Sequence, residues 1–159
     1  MLSLNQGLII AALLGSAIIG GGLFVFSSFI MKSLSRLGPA EGIAAMQSIN
    51  VVVINLSFIG TFFATAILSV VILLLPIGGS YANLLANTGA VLYLVGTFLV
   101  TVRGNVPLNN QLAAVSADDE ASVAVWENYL VKWTRLNTLR TACGLLAVVS
   151  FAIALTTAA

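Results

Sequence analysis

Residues 8–31 have the sequence LIIAALLGSAIIGGGLFVFSSFIM, in which no side chain is charged. A bilayer core about 30 Å thick needs about 20 consecutive apolar residues in a helix, so this stretch predicts a transmembrane span. Three more predicted spans follow: residues 51–75 and 82–102, which are also uncharged, and residues 122–158, which carry charges before residue 141 and have their membrane-embedded part at about 137–158. The sequence therefore predicts an all-α fold, an integral membrane four-helix bundle that forms one transmembrane domain over residues 1–159.

The composition agrees with a membrane protein. Of the 159 residues, 60% are hydrophobic and only 7% are charged, and the mean hydropathy is +1.11. Soluble domains contain about 25% charged residues, so this chain has too few to cover a surface in water, and membrane lipids are its expected surroundings. The sequence has no basic cluster of the kind that phosphate binding needs, so we expect no nucleic-acid partner.

Residues that bind metals are scarce in this sequence. The chain has no histidine and one cysteine, Cys143, which excludes haem ligation by histidine and zinc sites built from histidine or several cysteines. We therefore expect no metal and no cofactor. Cys143 lies in an apolar stretch, and we interpret it as a small core residue.

The basic residues lie in two of the three loops or in their flanks. None occurs between the second and third spans or at either end of the chain. Because Lys and Arg are enriched on the cytoplasmic side of membranes, this pattern predicts cytoplasmic loops at residues 32–50 and 103–125. Both termini are then expected outside, in the bacterial cytoplasmic membrane. The residues that carry this prediction are Lys32, Arg36, Arg103, Lys132, Arg135 and Arg140.

Small residues follow one another at helical spacing in the first span. Ala12, Ser16 and Gly20 are four residues apart, a pattern that lets two membrane helices approach closely. Gly21 and Gly22 follow Gly20 directly, which gives a run of three consecutive glycines. Such a run indicates either a kink or a place where a ligand lies against bare backbone, and Gly21 is our candidate for that contact.

A polar stretch leaves the third span, with the sequence RGNVPLNNQ at residues 103–111. Gly104 can end a helix, and Pro107 suits the first turn of the next one. The stretch therefore predicts a short interfacial helix between the third and fourth spans. Asn105 would precede this helix and Asn109 would lie near its start.

One face of the fourth helix carries aromatic and polar side chains together. Trp126, Tyr129, Trp133, Asn137 and Arg140 follow the spacing of a single helical face. The simpler interpretation is an aromatic belt with cations that reach the headgroups. That interpretation does not explain Asn137, because an unpaired amide is costly inside a membrane. We expect a buried polar cluster that joins this face to Arg103, Asn105 and Asn109.

The run RGNVPLNN, followed by Trp126, Trp133, Asn137 and Arg140 at their spacing, resembles the anthrone-oxygenase-like family. Members of this family are small four-span membrane proteins, many of them known only as a domain of unknown function. The best-described activity in the family is the oxygenation of an anthrone to an anthraquinone. The resemblance implies a cofactor-independent oxygenase or oxidoreductase acting on a lipophilic phenolic, anthrone- or quinol-like substrate.

The resemblance also implies roles for individual residues. Hydrogen-bond donors to a developing enolate oxygen would act as the catalytic groups, and aromatic or backbone surfaces would bind the ring system. No general base is evident, and Glu127 is the nearest acid. The candidate catalytic residues are Asn137, Arg140, Asn105 and Asn109, and the candidate substrate-binding residues are Trp126, Trp133, Arg103, Tyr129 and Gly21.

A different class of function explains the same residues. In a non-catalytic membrane subunit, the polar cluster would fix the packing of helices that join a larger assembly or a second copy of this chain. A cavity for a bicyclic or tricyclic ring beside the cluster would favour the oxygenase and a hydrophobic small-molecule partner. A cluster closed by direct side-chain bonds would favour the subunit.

Overall fold

The computed structural model describes residues 3–157, and all regular structure in this part of the chain is helical. The five helices are α1 (Leu4–Leu34), α2 (Pro39–Val52), α3 (Leu56–Leu74), α4 (Ser80–Ala113) and α5 (Ser122–Thr157). All except α2 are long and apolar enough to cross a membrane. The predicted all-α, membrane-spanning fold is thereby confirmed.

Polar side chains fix where the first two long helices begin. Ser3 Oγ accepts a hydrogen bond from the backbone N–H of Gln6, whose side chain accepts one from the N–H of Ser3. Asn55 Oδ1 accepts a hydrogen bond from Phe58 N–H at 2.9 Å, so α3 starts at Leu56. The second span was expected from residue 51, but residues 51 and 52 belong to the end of α2.

The short helices differ from the expectation in one respect. The segment Val106–Ala113 is helical, but it continues α4 without a break, and Gly104 does not end the third span. A methyl group at Gly104 would lie 2.9 Å from Leu136 Cδ1, so this glycine serves the close approach of α4 to α5. The separate short helix is α2, between the first and second spans, in the stretch that was predicted as a loop.

The four long helices pack around an apolar core. Helix α5 contacts α1 and α4, and α3 contacts the same two helices from the other side. Large side chains at the centre, among them Ile19, Phe62, Tyr93 and Phe151, are buried. Apolar side chains on the outside, such as Ile18, Ile67 and Leu146, are exposed and fit lipid.

A second apolar cluster lies where α2 packs against the ends of the other helices. Its buried residues include Met31, Ile43, Met46 and Leu112, together with aromatic residues of α5. Gln47 Nε2 donates hydrogen bonds to the carbonyl oxygens of Leu112 and Val115, at 2.8 and 3.0 Å. Helix α2 thus covers the end of the α4–α5 hairpin and satisfies two of its terminal carbonyl groups.

Helix α1 crosses α5 at a contact between two glycines, Gly20 and Gly144. Ala12, Ser16 and Gly20 are all buried, and a methyl group at Gly20 would lie 3.4 Å from the carbonyl carbon of Gly144. Around the corresponding position of Gly21 there is no atom within 4 Å. Gly20 is therefore closely packed against α5, whereas Gly21 has open space where a side chain would lie.

Replacing Gly20 by leucine is expected to lower the free energy of unfolding by about 1–3 kcal/mol, because the larger side chain forces α1 away from α5. Gly21→Leu is the matched control and should leave stability unchanged or raise it, since leucine is the better helix former. Thermal unfolding of both variants in detergent measures the difference. Equal melting temperatures would show that the Gly20–Gly144 contact does not limit the helix crossing.

Candidate functional site

A network of hydrogen bonds joins α1, α4 and α5, with Asn137 at its centre. Asn137 is fully buried, and its Nδ2 donates to the carbonyl oxygen of Leu23 at 2.8 Å and to Ser27 Oγ at 2.7 Å. Its Oδ1 accepts a hydrogen bond from Arg140 Nε at 3.1 Å. Both donor positions of the amide are thus used on α1, and the oxygen orients the guanidinium of Arg140.

Arg140 is a buried cation whose partners are neutral. Its side chain is only 6% exposed, and its Nη1 donates to Thr101 Oγ1 at 3.1 Å. The guanidinium carbon lies 5.0 Å from the ring centroid of Trp133, within the range of a cation–π interaction. The five acidic side chains of the protein are all exposed, Glu127 included, and neither hydrogen-bond partner of Arg140 is acidic.

Three aromatic rings of α5, Trp126, Tyr129 and Trp133, form a stack that we call the aromatic ladder. Neighbouring ring centroids are 5.8 and 5.9 Å apart, and the ring planes differ by 15° and 22°. Asn109 Oδ1 fixes two of the rings, because it accepts hydrogen bonds from Tyr129 Oη and Trp133 Nε1, both at 2.8 Å. The ladder runs from the region covered by α2 to Arg140.

Helix α2 contacts the ladder at two points. Gly42 lies against the ring of Trp126, where a methyl group would come within 2.8 Å of ring carbon Cζ2. Asn50 Nδ2 donates to Tyr129 Oη at 3.5 Å, the longest hydrogen bond around the site. The ladder is thus covered on one side by the helix that the sequence did not predict.

Four residues of α4, spaced four apart, face α5 together. Thr97 Oγ1 donates to the carbonyl oxygen of Arg140 at 3.0 Å, and Thr101 and Asn109 make the bonds described above. Asn105 Nδ2 donates to the carbonyl oxygen of Trp133 at 3.2 Å. In a regular α-helix, each step of four residues rotates the side-chain direction by about 40° around the helix axis. Over the twelve residues from Thr97 to Asn109, the four side chains would therefore not stay on one face.

The winding of α4 explains this alignment. Residues Leu92–Leu99 and Thr101–Asn105 form π-helical turns, in which each turn takes up more residues than in an α-helix. The wider turns offset this rotation and bring the four polar residues to the same neighbour. Pro107 follows directly on the second π-helical segment, where the bonding pattern changes and a helix tolerates a missing N–H.

Asn105 has one polar atom without a partner. The side chain is 1% exposed, and Oδ1 has no hydrogen-bond partner among the described residues. Buried amide oxygens are nearly always paired, so this atom is an exception that calls for an explanation.

Two of the candidate site residues lie outside the cluster. Arg103 is exposed, because it is two positions from both Thr101 and Asn105 and therefore on the far side of α4. Gly21 is half-buried and likewise two positions from Leu23, the residue of α1 that Asn137 contacts. The structure brings together the other seven candidates: Asn105, Asn109, Trp126, Tyr129, Trp133, Asn137 and Arg140.

Several participants were not singled out from the sequence. Thr97 and Thr101 share the four-residue spacing of Asn105 and Asn109, which was a usable signal. Ser27 bonds both Asn137 and, at 3.1 Å, Thr138 Oγ1, but nothing in the local sequence distinguishes it from Ser28. Its role depends on the packing of α1 against α5.

Direct side-chain bonds join the cluster, with Asn105 Oδ1 left unpaired among the described residues. Two concavities of the described surface lie away from it. One is lined by Gln111, Ala114 and residues of α5 near Asn128, and the other is an apolar groove between α3 and α4 that includes Phe63 and Phe98. Helix α2 and the bonds of Asn109 cover the aromatic ladder, so we expect ring binding there to involve movement of side chains or of α2.

Fold and site together define a small helical integral membrane protein with a buried, cationic polar cluster at one end of its spans. The sequence profile of the anthrone oxygenase family matches residues 50–150. The chain belongs to the anthrone oxygenase family, as the resemblance predicted. The matched range holds Arg140, its partner Thr101, Asn105 and the whole aromatic ladder. No curated protein and no solved structure matches the chain.

Proposed function

We propose that this protein is a cofactor-independent oxygenase or oxidoreductase that acts on a lipophilic phenolic substrate of the anthrone or quinol type. The observation that carries the proposal is Arg140, a buried guanidinium held by Asn137 and Thr101 without a carboxylate partner. A charge inside a membrane protein is costly, and such residues generally serve function. An anionic oxygen of a substrate would supply the missing counter-charge.

The chemistry requires stabilisation of an oxyanion. An anthrone loses a proton from its methylene carbon, and the negative charge that results lies mainly on the oxygen of its carbonyl group. Arg140 would bind that oxygen in surroundings of low dielectric constant, where a preorganised cation is most effective. The same interaction favours the ionised substrate, so water can take the proton and no carboxylate base is needed at the cluster.

The overall reaction balances without a cofactor. The anion passes one electron to O₂, the resulting radicals combine to a hydroperoxide on the former methylene carbon, and loss of water leaves a carbonyl group. One O₂ is consumed, one of its atoms enters the product and the other leaves as water. A quinol would instead give the quinone and hydrogen peroxide, with two electrons and two protons transferred to O₂.

The direct test measures oxygen uptake by the purified protein in lipid nanodiscs with an anthrone as substrate. We expect one O₂ consumed per anthraquinone formed, incorporation of one atom from ¹⁸O₂, and the same rate after treatment with a metal chelator. Empty nanodiscs give the background from spontaneous oxidation. A rate equal to that background with both an anthrone and a quinol would refute the proposal.

A second candidate function rests on the hydrogen-bond network. The bonds of Asn137 and Arg140 tie α1, α4 and α5 together. This arrangement favours a non-catalytic membrane subunit, in which the cluster fixes helix packing and the apolar faces contact other subunits or a second copy. The two candidates differ in what substitutions at the cluster do, as argued in the Discussion.

We also propose that both termini lie outside the bacterial cytoplasmic membrane, with residues 32–50 and 103–125 in the cytoplasm. Two single-cysteine variants test this, Ser3→Cys and Ser116→Cys, each combined with Cys143→Ala; both serines are exposed. In intact cells an impermeant thiol reagent should label the first variant and not the second. Labelling of Ser116→Cys and not of Ser3→Cys would show that the topology is the opposite one.

A further inference from the structure

The unpartnered amide oxygen of Asn105 points to a specific requirement on the ligand. The donors around it are engaged elsewhere: Thr101 Oγ1 donates to the carbonyl of Thr97 at 2.6 Å, and Trp133 Nε1 donates to Asn109. Asn105 itself uses Nδ2 on the carbonyl of Trp133. What this position lacks is therefore a hydrogen-bond donor brought by another molecule.

A second residue of the cluster has hydrogen-bonding capacity left. Arg140 forms its two side-chain hydrogen bonds through Nε and Nη1, which leaves Nη2 for a further acceptor. Both residues border Trp133, since Asn105 bonds its backbone and Arg140 lies on its ring. Arg140 is also bonded to Thr101, one helical turn from Asn105. An acceptor and a cationic donor with unused capacity thus both belong to residues that border Trp133.

These two groups require different things of the ligand. An amide oxygen accepts hydrogen bonds only, so it pairs with a neutral hydroxyl and repels an ionised oxygen, an ether or a carbonyl. A guanidinium donates only and favours an anionic oxygen. One ionised oxygen cannot satisfy both.

We propose that Asn105 is a specificity-determining residue that selects phenolic ligands with a hydroxyl group that keeps its proton. The oxygen that ionises at Arg140 is then a different one, and the preferred substrates carry at least two oxygen substituents. This inference rests on the proposed function, because it takes the occupant of the site to be a phenol. It assigns Asn105 the role of acceptor, whereas the sequence suggested a donor.

The test compares two ligands that differ by one hydrogen-bond donor, 2-hydroxyanthraquinone and 2-methoxyanthraquinone. Both are already oxidised, so binding is measured without turnover. Trp126 and Trp133 are the two tryptophans of the protein and both lie in the ladder, so quenching of tryptophan fluorescence reports binding. At mildly acidic pH, where the hydroxyl is neutral, wild type should bind the hydroxyl ligand about tenfold more tightly.

Substitutions then assign the preference to one residue. In Asn105→Leu the two ligands should bind equally, because the unpaired acceptor is gone. Asn110→Leu is the matched control, an exposed asparagine on the same helix, and should keep the preference. Circular dichroism and thermal unfolding establish that each variant is folded, and Asn105→Ala replaces the leucine variant if that one is not.

The possible outcomes separate the role of Asn105 from the proposed oxygenase. Equal affinities in wild type, or a preference that survives in a folded Asn105 variant, would overturn the role of Asn105 and leave the proposed oxygenase intact. No binding of either ligand would overturn both. A preference for the hydroxyl ligand together with no oxygen uptake from any phenol would support the hydroxyl-binding site and refute the oxygenase.

Discussion

Replacing Arg140 by glutamine is expected to lower anthrone turnover by about 10²–10³-fold while the melting temperature stays the same or rises. The loss of turnover follows because the cation that stabilises the oxyanion is removed. Stability should not fall, because glutamine can still hydrogen-bond Asn137 or Thr101 and the cost of burying an uncompensated charge disappears. Oxygen uptake and thermal unfolding in the same detergent measure the two effects.

Arg135→Gln is the matched control for this substitution. Arg135 lies on the same helix but is exposed, so its replacement should change neither turnover nor stability. In a non-catalytic subunit Arg140→Gln would instead lower the melting temperature, because Arg140 would be retained for its bonds between α4 and α5. A variant with full activity would exclude Arg140 from the reaction.

Replacing Asn137 by alanine is expected to lower turnover by about 10²-fold or more through the position of Arg140. The amide does not reach a substrate, because its two donor positions are used on Leu23 and Ser27. Without its oxygen, Arg140 Nε loses its partner and the guanidinium is no longer held over Trp133. Asn137 is therefore a positioning residue in this proposal.

The same substitution has a limited effect on folding, which separates the two candidate functions. All three side-chain bonds of Asn137 are lost, but Leu23 O keeps a hydrogen bond from Phe26 N–H and Ser27 Oγ keeps Thr138 Oγ1, so only Arg140 Nε is left without a partner. We expect a loss of about 1–3 kcal/mol in the free energy of unfolding. Asn128→Ala, at an exposed asparagine of α5, is the control for both readouts. Unchanged turnover with a large loss of stability would favour the structural subunit.

Much of this architecture is predictable from the sequence because membrane spans leave a simple signal. A helix satisfies all its backbone hydrogen bonds within one segment, so long uncharged apolar stretches indicate the long helices directly. The periodicity of α5 likewise places Trp126, Tyr129, Trp133, Asn137 and Arg140 on one face, and the structure has all five buried. A regular helix makes such a prediction reliable, because the angle between residues is fixed.

The features that could not be predicted from the sequence depend on contacts between distant parts of the chain. Helix α2 is held by Gln47 on the end of α4 and by Trp126 against Gly42, and neither partner is near it in the sequence. Gly104 matches a helix stop as well as a helix contact, and only the neighbour Leu136 decides between the two. Arg103 was assigned to the cluster by membrane depth alone, but depth does not specify the side of a helix.

The π-helical turns of α4 make the cluster sensitive to chain length as well as to residue type. A side chain after the second π-helical segment points in the same direction only if the number of residues between it and Thr97 is preserved. Deletion of Val102 would turn Asn105 and Asn109 by about 100° relative to Thr97, away from α5. One residue removed from the exposed stretch at Asp118–Glu120 would be absorbed by the loop. Insertions and deletions among homologues should therefore be common in that loop and absent between Thr97 and Asn109, even where the residues themselves vary.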